Sequence, residues 1–219
     1  MEIKKIENGR EYRDLILNIS QNEQEYRVEG YASTYNEPYH LYTTYAPDGY
    51  AIEVKEQVDR HAFDNTDMSD VIFQYNHEGR VFARQSNKTL SLNKDDEKGL
   101  FISADLGGTT IGRELYEEIK GGYTNKMSFG FLVDKTKDSV EQISADENGE
   151  VWLRTIHDIT KVFDVSAVSI PRNDYTSISA RAYADGVIAD VEAERLSRIE
   201  KENRKKDLEE RIKKLRGKE

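Results

Sequence analysis

The chain has 219 residues, a formal net charge of −10 and 37% hydrophobic residues, enough for one packed domain plus an appendage but low for a chain that is all core. The acidic balance argues against coating nucleic acid, which requires clustered Lys and Arg, and leaves protein as the expected partner. With no cysteine there is no disulfide framework, thiolate zinc site or cysteine nucleophile; with no apolar leader at Met1–Glu7 and no run of ~20 apolar residues, a soluble intracellular protein without membrane contact is expected.

In chain order, the pattern from Tyr12 to Tyr35 predicts two strands, with Leu15, Leu17 and Ile19 on one face and Gln21-Asn22-Glu23 as a hairpin turn between them. Residues 36–49 hold two of the three prolines and read as a long surface loop, either bordering a substrate groove or simply variable. Val71-Ile72-Phe73 is a short apolar run ending at Asn76-His77. Leu90, Leu92, Leu100, Ile102, Ala104 and Leu106 alternate across a predicted hairpin. Between Thr109 and Lys120 the period lengthens to Ile111, Leu115 and Ile119, with a threonine to cap the start and Gly121 at the end, which predicts one short helix. Residues 138–149 are acidic and read as an exposed excursion. Strand-like runs then fill Val151 to Val168, and Pro171 closes the sheet region.

From Tyr183 the composition changes to Glu, Lys, Arg and Asp around a sparse apolar stripe, Ile188, Val191, Leu196 and Ile199, then Leu208, Ile212 and Leu215. Acid-first pairs at i,i+4, such as Glu200 with Arg204, favour a helix but contribute only about 0.2–0.5 kcal/mol each. The expected domains are therefore 1–182 and a charged helical tail, 183–219. That tail is either a solvated helix or one that binds a partner. Many short strands and few helices make the body a β-rich α+β fold, predicted as a compact closed β-barrel-like sheet with peripheral helices.

The chemistry-bearing stretch is Lys126-Met127-Ser128-Phe129-Gly130-Phe131, a lone serine in an apolar strand behind the Gly121-Gly122 break. A strand puts Met127 and Phe129 on one face and Ser128 on the other. Taken alone, the pattern fits a half-buried serine that only satisfies a hydrogen bond. A nucleophilic serine needs an imidazole base and a third group to orient it. Tyr75-Asn76-His77-Glu78 and Val162-Phe163-Asp164-Val165-Ser166-Ala167-Val168 offer both. His40, His61 and His157 compete with His77, and Asp158 competes with Asp164. Four scattered histidines without HExxH-like spacing speak against a metal, and no cofactor is expected.

The order His, Ser, acid in these segments resembles the signature of the tailed-phage prohead maturation proteases, relatives of the herpesvirus assemblins. The resemblance spans residues 26 to 180. It begins at Val28-Glu29-Gly30-Tyr31-Ala32-Ser33 and includes Arg60-His61-Ala62-Phe63, where Arg-His replaces the usual Pro-Gly. It continues through Asn76-His77, Asp96-Glu97-Lys98-Gly99-Leu100, the serine segment, and the strand end Asp164 to Pro171. The resemblance implies a herpesvirus-protease-like fold and a serine endopeptidase with Ser128 as nucleophile, His77 as base and Asp164 as third member. In the assemblins that third member is itself a histidine, a role for which His157 would be the candidate here. Oxyanion donors are expected near Gly130 or from the Ser169 to Asn173 turn, with Arg172 acting as basic residues do in the assemblins. The implied role is cleavage of the scaffolding region of the major capsid protein, and of the protease itself, inside proheads in the host bacterial cytoplasm. Self-association accompanies that role. The rival reading is a catalytically silent internal scaffold with the same fold. A small-ester hydrolase is disfavoured because Lys126 stands where a G-x-S-x-G elbow has glycine.

Overall fold

The computed structural model describes residues 10–16, 26–45, 49–169, 193–194, 196–209 and 211–212. The chain divides into two units, Met1–Ala180 and Arg181–Glu219. The first unit runs β1 (Glu11–Ile16), β2 (Arg27–Thr34), β3 (Tyr39–Tyr45), β4 (Ala51–Val58), β5 (Ile72–Tyr75), β6 (Glu78–Arg84), β7 (Leu90–Asn93), β8 (Gly99–Asp105), α1 (Thr110–Lys120), β9 (Lys126–Val133), β10 (Ser139–Ala145), β11 (Gly149–Ile156) and β12 (Ile159–Val168), with a 3-10 turn at Lys135–Lys137. The strands form three sheets, in the orders β1-β9-β12-β5-β6, β10-β11-β4-β3 and β2-β8-β7.

Strand β9 is paired on both edges, by β1 and β12 in the five-stranded sheet, and its residues from Met127 to Phe131 are buried on both faces. Met127, Phe129 and Phe131 enter the main core, where Phe129 and Phe131 stack at 4.4 Å and Phe63 leans on Phe129 at 6.2 Å. Burying each such ring stabilises by about 1.5–3 kcal/mol. The intervening Ser128 and Gly130 necessarily face the other way. Helix α1 covers the core with Leu115 and Ile119. It starts where the Thr109 side chain accepts the Gly112 amide, and it stops at Gly121-Gly122, where Gly122 takes φ +77°.

A buried ionic cluster joins the five-stranded and four-stranded sheets. Arg13 of β1 grips the Glu56 carboxylate of β4 with Nε and Nη2, the latter at 2.9 Å, and also reaches Glu11 at 3.0 Å. Arg154 of β11 donates to Glu56 at 2.5 Å and to Glu11 at 3.2 Å, and its Nε reaches Asp138 at 2.9 Å. The Tyr39 hydroxyl completes the ring of donors around Glu56. Burial alone would raise the Glu56 carboxyl, but the two guanidiniums and these hydrogen bonds overcome it and hold the group at about 2. For Glu11 and Asp138 burial outweighs the arginines, so both carboxyls lie above their ordinary values.

Several expectations need correction. The described sheets are open, not closed into a barrel: the five-stranded sheet ends at β1 and β6, the four-stranded one at β10 and β3. Register shifts in β2, β3, β5, β10 and β12 bend the strands locally. The segment from Tyr12 to Tyr35 is no simple hairpin, since β1 pairs with β9 and β2 with β8; residues 21–23 lie outside the described residues. Residues 36–49 are not all loop, because the Tyr- and Thr-rich stretch after Pro38 forms β3. Residues 139–148 are largely exposed, as read, but carry the edge strand β10, while the Asp138 side chain is buried against Arg154. In the second unit, residues 196–209 have helical backbone; one helix across 183–219 is not shown.

Candidate active site

Ser128 sits in the middle of β9, directly opposite Ser166 of β12 on one side and Asp14 of β1 on the other, and is fully buried. Directly opposed residues of an antiparallel pair share a face, so Ser166 and, two residues away, Asp164 point to the same side as Ser128. Asp164 lies opposite Gly130. A side chain at 130 would project onto the face that Asp164 occupies.

His77 comes from a different device. Strands β5 and β6 are joined by the two-residue turn Asn76-His77, bracketed by the pair Tyr75 and Glu78, and both turn residues have left-handed backbone, φ 52° and 59°. Two consecutive positive φ values are what a tight hairpin of this twist demands. Asparagine tolerates that region; histidine there costs on the order of 1 kcal/mol, offset by what holds the turn. Its anchor is the end of β12, the parallel partner of β5. The Asn76 amide donates to Ala167 O (2.9 Å), and Asn76 Oδ1 accepts from the Ser169 amide (3.1 Å). The turn carries the imidazole onto the Ser128 face.

There, His77 Nδ1 lies 2.5 Å from Asp164 Oδ1 and His77 Nε2 lies 2.6 Å from Ser128 Oγ. A carboxylate beside Nδ1 requires the proton on that nitrogen, which leaves Nε2 to accept the serine hydroxyl. All three side chains are closed off from solvent: Ser128 is 0% exposed, and the His77 and Asp164 side chains are 2% and 3% exposed. The arrangement can take a proton from Ser128, pass it on, and stabilise the imidazolium that forms.

The competing residues are held elsewhere. His40 contacts Thr43 at 3.0 Å, and His61 contacts Asp64 at 3.2 Å, both at the surface. His157 forms a looser Ser-His-Asp set, with Ser139 Oγ at 2.9 Å but Asp59 at 3.7 Å, beyond a hydrogen bond, and its ring is 40% exposed. Asp158 pairs with Lys137. Arg172 and residues 170–173 lie outside the described residues. The Gly130 amide belongs to a strand flanked on both sides, so it points within the sheet toward a neighbouring strand. Among the described residues no group of three His, Asp or Glu could hold a metal, and no helix is long and apolar enough to cross a membrane. Two contributors escaped the sequence reading. Ser166 was legible from Asp-x-Ser spacing in a strand, which places both on one face; the part played by Asn76 needed the turn geometry.

The sequence profile of the caudovirus prohead serine proteases matches residues 13–187, a span that includes most of β1 and all of β9, β12 and the His77 hairpin. No match was found among curated proteins or among solved structures. The chain belongs to the caudovirus prohead serine protease family. Membership implies a serine peptidase that acts in capsid maturation, within the assembling prohead and with capsid protein.

Proposed function

We propose that this chain is a serine endopeptidase that cleaves the scaffolding region of the major capsid protein, and itself, as the prohead matures. Ser128 attacks the scissile carbonyl. His77 takes its proton and returns it to the leaving amine, while Asp164 fixes the ring and stabilises its charged form. The observation that carries this reading is one imidazole within hydrogen-bond distance of both a serine and a carboxylate, on three separate strands or turns of one sheet. Backbone amides beyond β12 or Arg172 supply the oxyanion donors in this reading. The body, 1–182, is the protease; the tail, 183–219, is a helical handle for packaging. Its exposed Leu196, Ile199, Leu208 and Ile212, and the ion pairs Glu200–Arg204 (3.7 Å) and Asp207–Arg211 (3.1 Å), suit a helical partner such as scaffold or a second copy. Deletion after residue 182 should abolish incorporation into proheads; unchanged incorporation removes that role.

The closed site implies latency. A peptide carbonyl reaches Ser128 only after a rearrangement, which crowding or self-association inside the prohead would supply. The same burial favours the second reading, a silent internal scaffold that retains the fold. Intact-mass analysis of the concentrated full chain and of Ser128→Ala separates them. Discrete truncations confined to the wild type support the protease; wild type and variant that behave alike, even with capsid protein added, support the scaffold.

A further inference from the structure

We propose that Ser166 is a positioning residue for the site, acting through Asp164; the inference rests on the protease reading above. Ser166 is 0% exposed, and its hydroxyl donates to Asp164 Oδ1 at 2.8 Å, the same oxygen that His77 Nδ1 approaches at 2.5 Å. Asp164 is itself buried, so its charged form depends on donors supplied by the protein. Two donors converging on one carboxylate oxygen fix the rotation of the Asp164 side chain, and with it the direction in which Oδ1 meets the imidazole. Without Ser166 the carboxylate keeps the histidine but loses the second restraint on its torsion.

The strand register makes this placement exact for both neighbours. Ser166 stands two residues beyond Asp164 on β12, on the same face, and directly across from Ser128 on β9. The serine therefore fills the site floor beside the nucleophile while its hydroxyl proton is committed to the carboxylate. That commitment is why Ser166, though adjacent, is not a second nucleophile: its proton goes to Asp164, whereas the proton of Ser128 faces His77 Nε2.

The test uses the full chain at high concentration with capsid protein added, the condition that relieves latency, and two readouts of Ser128 reactivity: the rate of self-trimming by intact mass, and the second-order rate of labelling by diisopropyl fluorophosphate. A hydrogen bond to a charged group corresponds to about 10- to 100-fold in rate, so Ser166→Ala should lower both rates by that factor. Ser166→Cys, of nearly the same shape but a weaker donor, should also lose rate, and it serves if the alanine variant does not fold. In an Asp164→Ala background, Ser166→Ala should change labelling by less than twofold, because its partner is already gone. A purely structural serine would instead cost the same factor in either background. Ser166 variants within twofold of wild type, or a further tenfold loss on top of Asp164→Ala, overturn the assignment. If Ser128→Ala labels and trims like wild type even with capsid protein added, the protease reading itself fails, and that outcome is distinct from either result.

Discussion

Glu56→Gln probes the buried ionic cluster that docks β1 beside the nucleophile strand. In the folded protein Glu56 titrates at about 2 against an ordinary 4.5, so its charged form contributes about 3 kcal/mol to folding at neutral pH. The folded value is depressed, so this stability is fully present above pH 4.5 and is lost as pH falls toward 2. Glu11 and Asp138 act in the opposite sense. Their folded carboxyls are raised above 4.5 and 3.8 and take up protons before the unfolded ones do, so they soften the loss on the way down. Replacing Glu56 removes one of the two carboxylates that Arg13 and Arg154 share, leaving them Glu11 and, for Arg154, Asp138; breaking such a buried pair costs about 3–5 kcal/mol. Urea unfolding of the Ser128→Ala chain, followed by the single tryptophan, Trp152, which is 1% exposed, measures the difference at pH 7 and pH 3. The gap between parent and Glu56→Gln should narrow by about 2 kcal/mol at the lower pH. A loss below 1 kcal/mol at pH 7, or a gap independent of pH, would refute the reasoning.

Two further changes test the site. Asp164→Asn keeps the shape but offers an amide donor to His77 Nδ1 and so favours the wrong tautomer; labelling and trimming should fall about 10⁴-fold, and a loss under tenfold would remove Asp164 from its role. Asn76→Ala places a residue poorly suited to φ 52° in the turn and removes the ties to Ser169, so melting should show a loss of about 1–2 kcal/mol together with slower labelling. Asn76→Gly relieves the backbone while still lacking the ties; full recovery of labelling in it would show that the side chain of Asn76 contributes nothing beyond its backbone conformation.

Local features were the legible ones. Helix α1 was readable because its cap, apolar period and terminal glycines lie within about a dozen residues, and the orientation of Ser128 follows from alternation alone. His77 and Asp164 emerged from resemblance, since nothing within either segment says that a turn after β5 will curl onto a face of β12. Sheet closure was misjudged because alternation reports which face is buried and not which strand pairs with which. The stretch Glu53-Val54-Lys55-Glu56-Gln57 reads as polar, yet Glu56 is fully buried: its arginine partners stand 43 and 98 residues away, Arg154 on β11 that pairs with β4 and Arg13 on β1 of another sheet, and only long-range contacts bring them in. Tyr39 to Tyr45 was hidden by flanking prolines, although its aromatic and β-branched composition already favoured a strand.

The order of strands in the five-stranded sheet also has a bearing on how the chain is made. The segment first in sequence, β1, pairs with β9, and β5 waits for a parallel partner, β12, that is translated nearly ninety residues later. The hairpin bearing His77 and the strand bearing Ser128 thus exist in the growing polypeptide well before anything joins them. Until the codons through Val168 have been read, no carboxylate orients the imidazole and no β12 anchors the Asn76 turn. A ribosome-bound fragment therefore carries the ingredients of the site without its geometry, and translation itself keeps the nucleophile from being assembled until the first unit is almost entirely synthesised.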